Sequence, residues 1–287
     1  MSIVIWSGGR LRRDDEPVVT AVDHGLTVGD GVFETCAVHD GRAFALTRHL
    51  RRLERSAQGL GLPTPDTDEV RAGVEAVLQA AGADAGRVRI TVTGGPGPMG
   101  SNRLPPAEQR TTVVVVAAPA TRAPSAQVVR VPWVRNERSA VAGLKTTSYA
   151  ENVVALGYAA ERGGDEALLA NTVGDLCEGT GSNVVVERDG ELLTPPLSSG
   201  CLAGITRELF LEWCRDAGMP VRESRPGELP WEVLADVPAG RAHLALTSSI
   251  RNVQPVVALD GTPVDAGPLS RRAQQVFEER LPQDLDP

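Results

Sequence analysis

The chain has 287 residues, 41% hydrophobic and 23% charged, an ordinary balance for a soluble globular protein of one large or two medium domains. A net charge of −8 argues against nucleic acid or an anionic membrane as partner. Met1–Trp6 lacks a basic leader and no apolar run reaches spanning length. Cys36, Cys177, Cys201 and Cys214 make no CxxC pair and, with the four histidines, no zinc-ligand spacing, so a cytoplasmic protein with reduced thiols and no metal is expected.

Ser2–Trp6 reads as a first strand, followed by a Gly8-Gly9 turn. Asp23–Asp30, broken by glycines and aspartates, reads as a loop. Gly31–Val38 alternates as a strand, Asp40-Gly41 as a hairpin turn and Ala43–Leu46 as the return strand. Thr47 is expected to cap a helix through about Gly59, with Leu50, Leu53, Ala57 and Leu60 on one face. A second amphipathic helix spans Asp66–Ala81. Strands Val88–Thr93 and Thr111–Ala118 flank a Gly/Pro-rich loop. These form a mixed α+β domain over residues 1–118. Residues 119–126, with two prolines and no periodicity, read as a linker to a larger domain over residues 127–287.

In that second part, strands are expected at Val128–Val134, Glu166–Ala170, Asn183–Glu187, Glu191–Thr194, Leu244–Thr247 and Val256–Leu259. Helices are expected at Tyr149–Arg162, from Gly204-Ile205-Thr206 through Ala217, and at Leu269–Arg280. With aromatics at 3%, the core must rest on Val, Leu, Ile and Ala.

Lys145 is the only lysine; the other 28 of the 29 basic residues are arginines. Arginine stays protonated in proteins, whereas a lysine amine can act as nucleophile or base. Lys145 is therefore a candidate for chemistry that arginine cannot do, although a chance survivor in an Arg-biased chain looks the same. A lysine bound to an aldehyde cofactor such as pyridoxal phosphate would need a phosphate cradle, best at a helix N-terminus, and a carboxylate to keep the pyridine nitrogen protonated. Direct attack on a carbonyl substrate needs neither. Gly204-Ile205-Thr206 and Thr247-Ser248-Ser249 suit the cradle, and Glu178 in Cys177–Asn183 suits the carboxylate. Taken singly, Thr206 reads better as a helix cap, the Thr247–Ser249 stretch as a strand-ending turn, and Glu178 as an exposed turn residue. Their order and spacing carry the case.

The run from Glu166-Ala167-Leu168-Leu169 through Glu178-Gly179-Thr180-Gly181-Ser182-Asn183-Val184 and Leu193-Thr194-Pro195-Pro196 to Gly204-Ile205-Thr206-Arg207 resembles the fold-type IV pyridoxal-phosphate enzymes, or class IV aminotransferases. The resemblance extends from about Trp6 to Pro255. It implies a two-domain α/β (α+β) fold with pyridoxal 5'-phosphate in the interdomain cleft, a small-molecule substrate and a homodimer. By matching positions, Lys145 is implied as the Schiff-base lysine, Glu178 as partner of the pyridine nitrogen, and Ile205, Thr206 and Ser249 as phosphate ligands. Arg52, three residues after His49, is implied as the phosphate-binding arginine, set apart from Arg48, Arg51 and Arg55 on a solvated helix face. Tyr149 is implied in the cofactor pocket, although branched-chain members carry their tyrosine one position later.

Within the family, Thr35 in Gly31–Thr35 resembles the threonine of aminodeoxychorismate lyases, placed to assist proton transfer or bind substrate; it is equally a β-favouring strand residue. Glycine at 94, where D-amino-acid aminotransferases have arginine, argues against that activity. Arg89 resembles a substrate-pocket arginine of branched-chain members, with an outward strand residue as the alternative. The wording of Asp23–Gly31 and Leu144–Tyr149 is most similar to aminodeoxychorismate lyases, so conversion of 4-amino-4-deoxychorismate to 4-aminobenzoate and pyruvate is expected. Transamination of branched-chain or other amino acids or amines is the alternative.

Overall fold

A computed structural model describes residues 3–287, so the expected position of Ser2 in the first strand lies outside the described residues. The chain forms two compact units. One holds the chain up to Thr121 together with Leu144–Tyr149 and Asp284–Pro287; the other holds Arg122–Gly143 and Ala150–Gln283.

The first unit begins with β1 (Val4–Ser7) and β2 (Arg10–Arg12). The expected loop at Asp23–Asp30 instead contains a one-turn helix, α1 (His24–Thr27), whose start is secured by the Asp23 carboxylate accepting from the Gly25 amide at 2.8 Å. Next come β3 (Gly31–His39), β4 (Arg42–Ala43), α2 (Leu46–Leu60), α3 (Thr67–Ala81), β5 (Arg87–Thr93) and β6 (Thr112–Ala118). The six strands form an antiparallel sheet in the order β2-β1-β6-β5-β3-β4. Alternation sends Val32, Cys36, Val88, Ile90, Val92, Val113, Val115 and Ala117 into one core with Leu50, Leu53 and Ala57 of α2 and Val70, Val74 and Val77 of α3. Gly73 lets α3 lie against the Trp6 indole: a Cβ there would stand 2.7 Å from a ring carbon.

Thr47 does not cap α2. The helix starts two residues earlier than that cap implies, after Ala45, which adopts φ 54 and offers no side-chain cap. Asp66 does cap α3, accepting from Asp68 and Glu69 amides.

The second unit holds β7 (Ala126–Arg135), α4 (Ala150–Ala160), β8 (Glu166–Asn171), β9 (Leu176–Gly179), β10 (Asn183–Arg188), β11 (Glu191–Thr194), α5 (Ile205–Asp216), β12 (Val221–Glu223), β13 (Ala242–Ser248), β14 (Asn252–Leu259), β15 (Thr262–Pro263) and α6 (Pro268–Arg280). Among the described residues these strands make one mixed sheet, β12-β11-β10-β13-β14-β7-β8-β9, with β15 beside β14. The β7–β8, β7–β14 and β11–β12 pairs are parallel. One side of β7 and β8 packs on Ala155 and Ala159 of α4. Val128, Leu168, Val184, Val186, Leu244 and Leu246 pack with Val233, Leu234 and Val237. Trp213 of α5 meets Phe277 of α6 with ring centroids 4.7 Å apart.

The chain first passes between units at Thr121/Arg122. Leu144–Tyr149, expected with residues 127–287, packs with the first unit instead. Its backbone runs along the start of β3: the Phe33 amide donates to Lys145 O at 3.0 Å, the Thr147 amide donates to Gly31 O at 2.8 Å, and Thr146 bridges Val32. The four cysteines are buried and free, and no helix among the described residues is long and apolar enough to cross a membrane.

Candidate active site

In the first unit the candidate residues sort by the two faces of β3. Register pairs Phe33 with Thr91 and Thr35 with Arg89 on one face, and Glu34 with Ile90 on the other. On the first face the Phe33 ring is a gathering point. The Lys145 Nζ lies 4.4 Å from its centroid and the Arg89 guanidinium carbon 3.8 Å; Tyr149 meets it edge-on at 5.3 Å. Cations near an aromatic ring face are attracted by its quadrupole. Arg89 Nε also donates to Thr91 Oγ1 at 3.3 Å, and Thr35 is half-buried. The structure thus brings Lys145, Tyr149 and Arg89 together around Phe33, with Thr35 the cross-strand neighbour of Arg89.

The opposite face holds a buried charge cluster in which Arg52 and His49 meet Glu34, a residue not singled out above. Glu34 is fully buried among apolar neighbours. Arg52 of α2 grips it with two parallel bonds, Nε to Oε1 at 2.7 Å and Nη2 to Oε2 at 2.6 Å, while His49 Nδ1 meets Oε2 at 2.7 Å. Burial pushes the Glu34 carboxyl up, but the charge of Arg52 and the bonds from Arg52 and His49 outweigh it and hold it well below the usual carboxylate range. Burial pushes His49 down, against the pull of Glu34. One turn beyond Arg52, the Ser56 hydroxyl accepts from the Lys145 amide at 3.2 Å, so α2 positions both the arginine and the lysine backbone. A polar Glu34 in the inward row of an alternating strand, opposite His49 and Arg52 at helical spacing, is the signal that reveals this cluster.

In the second unit Glu178 lies on β9, buried, not in an exposed turn. Its Oε1 accepts from Arg135 Nε at 3.1 Å and its Oε2 from the Leu202 amide at 2.9 Å. Arg135 also donates to Asn152 Oδ1 at 2.7 Å. Arg135 and Asn152 lie far from Glu178 in sequence, and no local pattern announces them. The following Thr180-Gly181-Ser182 turn wraps the buried Glu166 carboxylate, which accepts from the Thr180 amide and hydroxyl, the Gly181 amide and the Ser182 hydroxyl.

Ile205 and Thr206 are the first two residues of α5, both buried. Thr206 is therefore not the cap; Gly204 is, and it supplies no side-chain hydrogen bond. The first-turn amides of such a helix are left for another acceptor and carry the positive end of its dipole. A Cβ at Gly204 would stand 2.0 Å from Asn183 Oδ1, so this close approach admits only glycine without a shift. Thr247 Oγ1 of β13 is buried without a hydrogen-bond partner among the described residues, and Ser249 follows, half-buried, just past the strand.

The class IV amino-transferase family model matches residues 31–259. A putative branched-chain-amino-acid aminotransferase of Methanocaldococcus jannaschii is 30% identical over 96% of this chain and 95% of its own. A bifunctional aminodeoxychorismate lyase / D-amino acid transaminase of Mycobacterium tuberculosis is 33% identical over 75% of this chain and 79% of its own. Among solved structures, the PLP-bound form of a hypothetical aminotransferase from Mycobacterium tuberculosis superposes with TM-score 0.82 at 27% identity, covering 96% of this chain and 98% of that one. The Escherichia coli branched-chain amino acid aminotransferase superposes with TM-score 0.84 at 26% identity, covering 96% and 93%. The chain belongs to the class IV aminotransferase family, the pyridoxal-phosphate-dependent enzymes of fold type IV.

Proposed function

We propose that this enzyme transfers the amino group of a carboxylate-bearing amino acid to a 2-oxo acid, with Lys145 as its covalent and proton-moving residue. The observation that carries the reading is the Phe33 ring, which gathers the single lysine and Arg89 on one side of β3. An amine-reactive group beside a guanidinium is the pairing that an amino acid, with its amino and carboxylate groups, requires. The several relatives named as branched-chain-amino-acid aminotransferases support transamination over the lyase reading.

The residues present fit pyridoxal phosphate. The uncapped α5 start, with Ile205 and Thr206, suits a phosphate, and the buried Thr247 hydroxyl, without a partner among the described residues and two residues before Ser249, adds a polar edge. Arg52 serves as a further phosphate ligand and Tyr149 as a cofactor-pocket wall. Glu178, oriented by Arg135 and the Leu202 amide, serves as the acceptor that keeps a pyridine nitrogen protonated. When bound, the cofactor supplies an electron sink for the carbon bearing nitrogen. Lys145 removes the proton from that carbon and returns it elsewhere; its backbone, tied to Ser56 and Phe33, holds the amine at that task. Arg89 binds the carboxylate and sets the substrate's orientation.

A second reading, the lyase that releases 4-aminobenzoate and pyruvate from 4-amino-4-deoxychorismate, is favoured by Thr35 across from Arg89 and by the bifunctional relative. In that case the same proton removal is followed by elimination. The enzyme is further proposed to be a cytoplasmic homodimer.

Assays of 2-oxo-acid-dependent amino transfer and of 4-aminobenzoate release on one preparation separate the readings. Transfer without aromatic product is expected, and aromatic product without transfer overturns it. Borohydride reduction followed by peptide mapping should place a pyridoxyl group on Lys145, and Lys145→Ala should lose at least about a thousandfold in rate. Arg89→Gln should raise KM for the amino acid about tenfold or more, the weight of a charge-assisted pair.

A further inference from the structure

Helix α2 carries His49 and Arg52, yet it begins without a cap of its own. Ala45, before its first residue, adopts φ 54, a left-handed conformation costly for alanine, and offers no side-chain acceptor. The missing partners come from Asp284–Pro287, which packs in the same unit. The Ala45 amide donates to Leu285 O at 2.8 Å. The Thr47 amide donates to Asp286 Oδ1 at 2.8 Å and the Thr47 hydroxyl to Asp286 Oδ2 at 2.6 Å. Arg48 Nε donates to Pro287 O at 2.8 Å, and Arg71 Nη2 reaches the Thr47 hydroxyl at 2.9 Å. A residue more than two hundred positions downstream thus does what an N-cap does from within the helix.

From that cap the geometry runs directly to the cluster on β3. The His49 amide donates to Ala45 O at 3.0 Å in the first turn, and His49 Nδ1 and Arg52 then hold Glu34. A shift at the helix start moves both side chains against a strand that cannot follow, because β3 is fixed by register to β5. We propose that Asp286 is a positioning residue for Arg52: by capping α2 in trans it sets where the guanidinium stands, and through it the affinity of the protein for the phosphate of its cofactor. This rests on the reading of Arg52 as a phosphate ligand.

The sign of the effect separates positioning from charge. Asp286 is exposed and anionic, so deleting it would by electrostatics alone strengthen the binding of an anion slightly, and salt would screen even that. Displacement of Arg52 predicts weaker binding. The test titrates apo full-length protein with pyridoxal phosphate and, separately, with pyridoxal, which lacks the phosphate, following visible absorbance. Melting temperature is read on the same samples. Asp286→Ala should weaken pyridoxal phosphate binding about three- to tenfold, the range of a lost cap, and leave pyridoxal affinity unchanged within about twofold. Asp286→Asn, which keeps an acceptor for the Thr47 amide, should lose less and serves where the alanine variant does not fold. Equal losses for both compounds, a lowered melting temperature with no change in phosphate preference, or tighter pyridoxal phosphate binding overturns the proposal. Arg52→Gln is the companion: if it abolishes the phosphate preference and Asp286→Ala leaves it intact, only the role of Asp286 falls. If Arg52→Gln leaves the preference intact, the Arg52 reading falls and this proposal with it.

Discussion

A carboxylate sits in the middle of an apolar core at position 34 because Arg52 and His49 occupy its hydrogen-bonding sites. Such a cluster is tolerated only as a whole. Glu34→Gln removes the counter-charge of a buried guanidinium and should cost about 3–5 kcal/mol in urea unfolding. The direction of the pH dependence follows from two downward shifts. Glu34 lies below its ordinary value, so its contribution is complete above about pH 4.3 and is lost as pH falls toward the lowered value. His49 also lies below its ordinary value, so the unfolded chain takes its proton first and stability begins to fall below about pH 6.5. The wild type should lose stability in both windows, and Glu34→Gln should lack the lower one. Lys145 stands out in the chain as its one lysine, whereas Arg52 is set apart from its neighbouring arginines only by the family resemblance. Glu34 was within reach of its strand's alternation. Arg135 and Asn152 were not, because a guanidinium that meets a carboxylate 43 residues away leaves no local trace.

At the scale of elements, the start of α5 is joined to Glu178 by a short chain of contacts. Asn183 presses Oδ1 toward Gly204 and donates Nδ2 to Leu202 O at 2.8 Å; the Leu202 amide donates to Glu178. Gly204→Ala forces the buried Asn183 side chain away and loosens both bonds. It should cost about 1–3 kcal/mol of stability, the usual weight of overpacking. Pyridoxal phosphate binding, read by absorbance titration, should weaken by roughly an order of magnitude, the equivalent of 1.4 kcal/mol. Strands β5 and β6 and helices α2 and α3 are readable because each buries mainly one face, so period and burial agree, whereas β3 keeps its alternation of residue types although both of its faces are largely buried. Four-residue β9 is not: every residue of Leu176–Gly179 is buried, so no alternation marks it, and Glu178 reads as a turn residue. One-turn α1 is held by the Asp23 side chain rather than by an apolar stripe and reads as a loop for that reason. The start of α2 escapes because its capping group comes from Asp286.

For the whole molecule, α4 presents Val153, Val154 and Leu156 to solvent while Ala155 and Ala159 pack inward. Exposed apolar side chains grouped on one helix suit an interface, and the proposed homodimer would cover them. Val154→Glu should shift the protein toward the monomer in light scattering after size exclusion; an unchanged mass removes α4 from the interface. Residues as far apart as Thr47 and Asp286 share the first unit, with Lys145 threaded between them in sequence. During synthesis the opening 121 residues therefore emerge without their last partners. The sheet can form early, but α2 waits for its cap until the ribosome has passed Asp286. A ribosome stalled before that point should hold a nascent chain whose α2 is open to protease while β5 and β6 are already protected.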